Sequence, residues 1–212
     1  MRQTSQNEKT LIKGKRVVLR APVKDDGPQF LAVNRRSANF NRGLASPPTT
    51  AKQFEAYLKR SAQPDGACYL ICRAEDGAVM GSIALSQIFH GGFRSAYLGY
   101  QIGEEFSRQG YMTEAIQLML RHAFVKLKLH RLEANIQPEN AASIALVKRA
   151  GFVKEGYSRR YLKIGRRWRD HERWAILVED WSKQRAQPKT KTRLPARHSH
   201  RRTSGGKAAT PP

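Results

Sequence analysis

One stretch, from Tyr97 to Leu127, constrains most strongly what this chain can fold into: YLGYQIGEEFSRQGYMTEAIQLMLRHAFVKL. It reads as a strand over about Ser95–Ile102, a polar turn containing Gly110, and then a helix. In the strand, Tyr97, Gly99 and Gln101 fall on one face and Leu98, Tyr100 and Ile102 on the other. In the helix, Met112, Ala115, Ile116, Met119, Ala123 and Leu127 recur every three or four residues and form one apolar stripe. At the junction stand Ser107, Arg108, Gln109, Gly110, Tyr111, Met112 and Thr113. The first turn of a helix has amides without intrahelical partners and a partial positive charge, so the junction is an anion site. Gly110 lets a bound group approach the backbone, Arg108 adds a full charge, and a pyrophosphate suits both. Taken alone, Gly110 reads as an ordinary turn glycine.

The rest of the chain supplies layers for this unit. A strand over 16–23 follows a loose leader, and Asp25-Asp26 caps a helix to about Arg35 with Pro28 in its first turn. Residues 37–50 are a loop, after which Thr50 caps a helix from Ala51 to about Arg60. Ala67–Arg73 and 79–85 are strands joined by Glu75-Asp76-Gly77, and His90-Gly91-Gly92 makes a second hairpin connection. Beyond the central helix, Arg131–Ile136 is a strand, 140–150 a helix stopped by Gly151, and 152–164 with 166–178 a hairpin across Gly165. The order is β-α-α-β-β-β-α-β-α-β-β. It predicts an α+β domain with a mixed, mostly antiparallel central sheet flanked by helices.

The 212 residues are enough for one domain with a sizeable core. Cys68 and Cys72 lie about 13 Å apart along one strand, too far for a mutual disulfide, and read as apolar fillers in a reducing compartment. No signal peptide and no apolar run of about 20 residues is visible, so the expectation is a cytoplasmic protein with no membrane partner. The net charge is +22, and no acidic residue follows Asp180. The segment 182–212, rich in Lys, Arg, Pro, Ser and Thr, is expected to be a disordered basic tail. It is either a solvated appendage or an arm with non-specific attraction for ribosomal RNA; it lacks aromatics for base stacking.

A second constellation begins at Asn140, with Ser143 one turn on, and ends in Ala150-Gly151-Phe152. By itself Asn140 is an N-cap with a serine beyond it. Combined with the anion site, it resembles the GNAT superfamily of acetyl-CoA-dependent N-acetyltransferases. The signature there is a central strand, a pyrophosphate loop of Q/R-x-x-G-x-G/A type and an Asn-bearing helix ending in Gly-Phe. Within the superfamily the chain is more similar to ribosomal-protein-alanine N-acetyltransferases of the RimJ type. That closer likeness lies in SAYLGY at 95–100, His130-Arg131, GFVKEGY at 151–157 and Trp168-Arg169-Asp170-His171, and it covers 16–181. The chain departs from the pattern at Ser107, where the loop usually has Gln or Arg, and at Arg108, where glycine is common. Val147 stands where many members carry an acid-supplying tyrosine, so that role falls elsewhere or is unnecessary.

The resemblance implies acetyl-CoA as co-substrate, held by Tyr100, Gln101 and Ile102 on the central strand, by Arg108, Gln109, Gly110, Tyr111, Met112 and Thr113 at the loop, and by Asn140, Ser143 and Val147. The central strand is expected to splay from its neighbour, with Gly99 at a bulge or a close backbone approach. Ser143 sits where it can protonate or hydrogen-bond the leaving sulfur. Glu133 is the first candidate base, with Glu114, Glu104, Glu105 and a water relay as alternatives. Tyr157, Tyr161, Trp168 and Asp170 are candidates to line the acceptor groove, although Trp168 packing and an Arg169-Asp170 surface pair explain the same residues structurally. Near neutral pH an α-amine is roughly a fifth deprotonated and a lysine about a thousandth. A site without an evident strong base therefore suits a protein N-terminus. The expected substrate is the N-terminal alanine of a ribosomal protein, and the enzyme is expected to be a monomer or weak dimer. The alternatives are acetylation of a polyamine or aminoglycoside, or a non-catalytic RNA-binding module on the same fold.

Overall fold

The computed structural model of the chain describes residues 11–186. The rest of the expected leader, 1–10, and most of the expected tail, 187–212, lie outside the described residues. One eight-stranded sheet runs through the domain in the order β1-β2-β3-β4-β5-β6-β8-β7. Its strands are β1 (Leu11–Lys13), β2 (Val17–Arg20), β3 (Ala67–Arg73), β4 (Val79–Phe89), β5 (Ser95–Ile102), β6 (Arg131–Ile136), β7 (Val153–Ile164) and β8 (Arg167–Leu177). The helices are α1 (Gly27–Arg36), α2 (Ala51–Ser61), α3 (Tyr111–Arg121), α4 (Ala141–Ala150) and α5 (Val178–Ala186). Only β5 and β6 pair in parallel; every other neighbouring pair is antiparallel. The α+β mixed sheet is as expected. No helix among the described residues is long and apolar enough to cross a membrane.

Alternation along β3 shows how the layers form. Tyr69 and Ile71 join the larger core with Ala115, Ile116, Met119 and Leu120 of α3. Leu70 and Cys72 point the other way, toward Phe30 of α1 and Phe54 of α2. A strand buried on both faces loses the polar alternation of a half-exposed one, which is why ACYLICR is almost wholly apolar. Each large side chain buried fully on either face contributes about 1.5–3 kcal/mol. Both cysteines are buried and free, and burial pushes their thiols upward.

Several boundaries differ from expectation for identifiable reasons. The leader is not loose throughout: Leu11–Lys13 pairs with β2, a strand too short to leave a periodic signal. The tail begins later than 182, because α5 continues to Ala186 with Trp181 buried against Phe124. Asp26 does not cap α1 with its side chain. Its carboxylate instead accepts from the Val23 amide at 2.7 Å and from both terminal nitrogens of Arg20, at 2.8 and 2.5 Å. Thr50 does cap α2, accepting from the Gln53 amide. α3 passes into one wide π-type turn over His122–Lys126.

Glu114 is a clamp between layers. Its Oε1 accepts from the backbone amides of Arg16 at 2.8 Å and Val17 at 3.3 Å, tying the start of β2 to the first turn of α3. That engagement removes it from the candidate bases. Gly81 holds the β4–β5 contact close: a Cβ there would lie 2.2 Å from the Gln101 carbonyl oxygen and 2.8 Å from Ile102 Cα. Both are backbone atoms of β5 and cannot swing aside. Gly81→Ala should therefore lower stability by about 1–3 kcal/mol, read as a lower urea midpoint with an unchanged slope. An unshifted midpoint would show that the strands separate without cost.

Candidate active site

β5 and β6 pair only at Ser95–Arg131, Ala96–Leu132 and Tyr97–Glu133. Beyond that point β5 continues to Ile102 held by β4 alone, and β6 continues to Ile136 held by β8. The two strands therefore part, and the facing backbone edges of Leu98–Ile102 and Ala134–Ile136 have no partner across the gap. Gly99 sits beside this opening. It is not at a bulge, since it pairs in register with Ala84, and a Cβ placed on it would meet nothing within 4 Å. Its missing side chain leaves room on the sheet face.

At one end of the opening lies the start of α3. Gly110 occupies the N-cap in the left-handed region at φ 85°, and no side chain caps the helix. The first helical bond is Glu114 N–H to the Gly110 carbonyl, so the amides of Tyr111, Met112 and Thr113 precede the ladder. Arg108 is also left-handed at φ 58°, a conformation that costs an arginine energy and that the surroundings must hold in place. They do so by two contacts: the Gln109 side chain donates to the Glu105 carbonyl at 2.7 Å, and Arg16 Nη2 donates to the Gln109 carbonyl at 3.0 Å. Gln109 is thus a brace for the loop. The amides and the exposed Arg108 side chain are left for an anion.

Beside the opening, α4 brings in the second constellation. Asn140 Oδ1 caps α4 by accepting from the Ser143 amide at 3.0 Å, which leaves its Nδ2 free to donate. Ser143 Oγ lies 2.5 Å from Tyr100 Oη. Burial pushes the Tyr100 phenol up to about 12, so it stays protonated across the physiological range. Val147 is fully buried in the core and presents no surface to the opening. Its expected place among the cofactor contacts is corrected to that of packing beneath α4.

The opposite face of the sheet carries Tyr97, Gly99, Gln101, Glu133 and Asn135. Glu133 accepts from Arg131 Nε at 2.8 Å, and Arg131 also pairs with Glu155. Gln101 Nε2 donates to Asn34 at 3.1 Å and Ser82 at 3.3 Å, whereas its Oε1 and Asn135 Oδ1 are buried acceptors without partners. Burial first, and then neighbouring Tyr161, raise the Tyr97 phenol. Glu105 is paired with Arg36 at 2.7 Å, and Glu104 precedes it in the same short 3-10 turn. The ion pair engages Glu105.

The four expected groove residues do not line one groove. In the β6–β8 register Arg173 stands opposite Asn135 and Ala175 opposite Glu133, so Arg169, His171 and Arg173 share the face of Glu133. Tyr161 joins that face, its ring 5.8 Å from His171. Trp168 and Asp170 alternate onto the other face, where Asp170 accepts from Tyr157 Oη at 2.7 Å and from the Arg160 amide at 2.6 Å. These bonds pull the Asp170 carboxyl below its usual range. Tyr157 and Tyr161 part at β7 because the register shifts between Ser158 and Leu162. Tyr97, which was not among the expected site residues, shares this face with Gln101 and pairs across the strands with Glu133.

An opening between two parting parallel strands, an uncapped helix start at its end and a hydroxyl pair beside it define an acyl-CoA-dependent acyltransferase. The chain belongs to the GNAT acetyltransferase family: the acetyltransferase (GNAT) domain model matches residues 16–153. A Bacillus subtilis protein named probable N-acetyltransferase YjcK is 31% identical over 178 residues, covering 80% of this chain and 98% of its own. The Escherichia coli [ribosomal protein uS5]-alanine N-acetyltransferase is 37% identical over 108 residues, covering 51% of this chain and 56% of its own. Mycobacterium smegmatis RimJ, solved in complex with CoA-disulfide, superposes with TM-score 0.71 at 27% identity over 77% of this chain and 82% of its own. A shorter match, 31% over 84 residues, is to a Vibrio cholerae spermidine N(1)-acetyltransferase, covering 40% of this chain and 49% of that one. The protein is an acetyl-CoA-dependent N-acetyltransferase.

Proposed function

We propose that the enzyme acetylates the α-amine of a protein N-terminus, with the N-terminal alanine of a ribosomal protein as the substrate class. The observation that carries this reading is the composition of the face bearing Tyr97. Its carboxylate Glu133 is matched by Arg131, Arg169 and Arg173 add positive charge, and two buried carbonyl oxygens, Gln101 Oε1 and Asn135 Oδ1, lack donors. A polyamine needs free carboxylates for several ammonium groups and is repelled by these arginines. A peptide N-terminus brings one amine and a run of amide N–H donors, which suits unpartnered carbonyl acceptors. The similarity to the uS5-alanine enzyme supports the choice of protein class.

Acetyl-CoA supplies the activated acetyl thioester. The amides of Tyr111, Met112 and Thr113 with Arg108 hold its pyrophosphate, and Asn140 Nδ2 donates to the pantetheine arm. An N–H on the unpaired edge of β5 donates to the thioester oxygen, where charge develops during attack. Ser143 donates to the leaving sulfur while accepting from Tyr100. At a pKa of about 12 the phenol does not yield its proton to a thiolate whose thiol lies near 8.5, so the pair steadies the thiolate by hydrogen bonding. The amine's proton leaves through water, with Glu133 as the neighbouring carboxylate.

The test is a panel of labelled-acetyl acceptors: Ala-initiated peptides, the same peptides blocked at the N-terminus but carrying lysine, and spermidine. The Ala-initiated peptides should be acetylated fastest; faster spermidine turnover would overturn the assignment. On the peptide, kcat/KM should rise about tenfold per pH unit and level off near pH 8, following the deprotonated fraction of an α-amine. An inflection below about 6.5 would instead assign proton removal to an enzyme carboxylate.

A further inference from the structure

The outer half of the β7–β8 hairpin carries a charge pattern of which the acceptor face takes up only Arg169. β6 supports β8 only from Glu172 to Leu177, so the hairpin beyond Glu172 projects past its neighbour. Between Gly156 and Arg169 stand Arg159, Arg160, Lys163, Arg166, Arg167 and Arg169, with no acidic residue among them. The nearby acids are engaged: Glu155 with Arg131, Glu172 with Lys154, and Asp170 with Tyr157 and the Arg160 amide. None of the six cations forms an ion pair among the described residues, and all but Arg169 are exposed. In their midst Trp168 is 61% exposed, directly across the ladder from Lys163. An uncovered indole flanked by unpaired guanidinium groups is costly for a surface with no partner.

We propose that this outer hairpin is a docking site for single-stranded RNA, with Lys163, Arg166 and Arg167 on phosphates and Trp168 stacked on an unpaired base. Guanidinium groups match phosphate oxygens two at a time, and a flat indole accepts any base face. Trp168 also supplies the stacking aromatic that the 182–212 segment lacks. Binding of a single strand stands on the hairpin alone. The choice of RNA over DNA rests on the proposed ribosomal-protein substrate.

The experiment uses the full chain and its Lys163→Gln/Arg166→Gln/Arg167→Gln and Trp168→Ala variants. Each is titrated with an oligouridine of about twenty nucleotides and its DNA counterpart across a salt series. Losing three phosphate contacts should reduce the slope of log affinity against log salt by about two. Trp168→Ala should weaken binding about five- to a hundredfold at every salt concentration with the slope retained. The triple variant should acetylate a short peptide at the normal rate, which shows the domain intact and separates this test from that of the substrate. Equal affinities and slopes for all three proteins would overturn the proposal, leaving RNA attraction, if any, to residues elsewhere. Loss of binding to ribosomal particles with RNA affinity unchanged would also overturn it, because the hairpin would then meet an acidic protein surface. Preference for DNA over RNA would remove the RNA assignment.

Discussion

Gly110→Val is expected to weaken acetyl-CoA binding at least about a hundredfold while the domain remains folded. Two or more charge-assisted amide contacts are at stake, each worth about 1.5–3 kcal/mol. The backbone at Gly110 sits at φ 85°, where a β-branched residue is strained by about 1–2 kcal/mol or more. A Cβ would also come within 2.9 Å of Arg16 Nη2, the group that steadies the Gln109 carbonyl. The strained variant relaxes by moving the loop, and the amides of Tyr111–Thr113 lose their common direction. Calorimetric titration with acetyl-CoA measures the loss, and thermal melting without ligand measures the separate stability cost. Gly110→Ala should fall between the two, since it keeps most of the strain but not the added bulk. Unchanged affinity in Gly110→Val would mean that the pyrophosphate is held elsewhere.

How much of this site could be read in the chain depends on the range over which each feature is encoded. β5 and β6 were predicted to the residue because each is a short alternating segment bounded by turn residues, with Ala96 and Leu98 in β5 and Leu132, Ala134 and Ile136 in β6 on the core face. Asn140, Ser143 and Gly151 were placed correctly on α4 because capping is local chemistry, complete within a few residues. The parting of β5 from β6 was implied only by resemblance, since it depends on where a pairing 36 residues long in sequence stops, at Tyr97–Glu133. The role of Glu114 was equally hidden: its partners are 97 and 98 residues away. Tyr157 and Tyr161 were expected to line one groove because strand alternation was carried through β7, and the register shift between Ser158 and Leu162 breaks it. Strict alternation identifies a face only in an unbulged ladder.

The hydroxyl pair shows the same limit and yields the second large effect. Tyr100 was expected at the cofactor strand and Ser143 at the sulfur, but their 2.5 Å contact joins residues 43 apart in sequence. If the pair steadies the thiolate, Ser143→Ala should lower kcat about ten- to a hundredfold with a smaller change in KM. The cap of α4 should survive, because Asn140 Oδ1 receives the backbone amide of Ser143 and not its side chain. Tyr100→Phe keeps the ring in place and removes only the hydroxyl that contacts Ser143, so its kcat should fall less. The double variant should be little slower than Ser143→Ala, since Tyr100 acts through the serine hydroxyl. With the phenol at about 12, none of these rates should show a loss from Tyr100 ionisation up to pH 10. Steady-state kinetics of the four proteins on one Ala-initiated peptide separate the cases. A full-rate Ser143→Ala enzyme would reduce the serine to helix packing. Independent, multiplicative losses would show that tyrosine and serine act on different atoms.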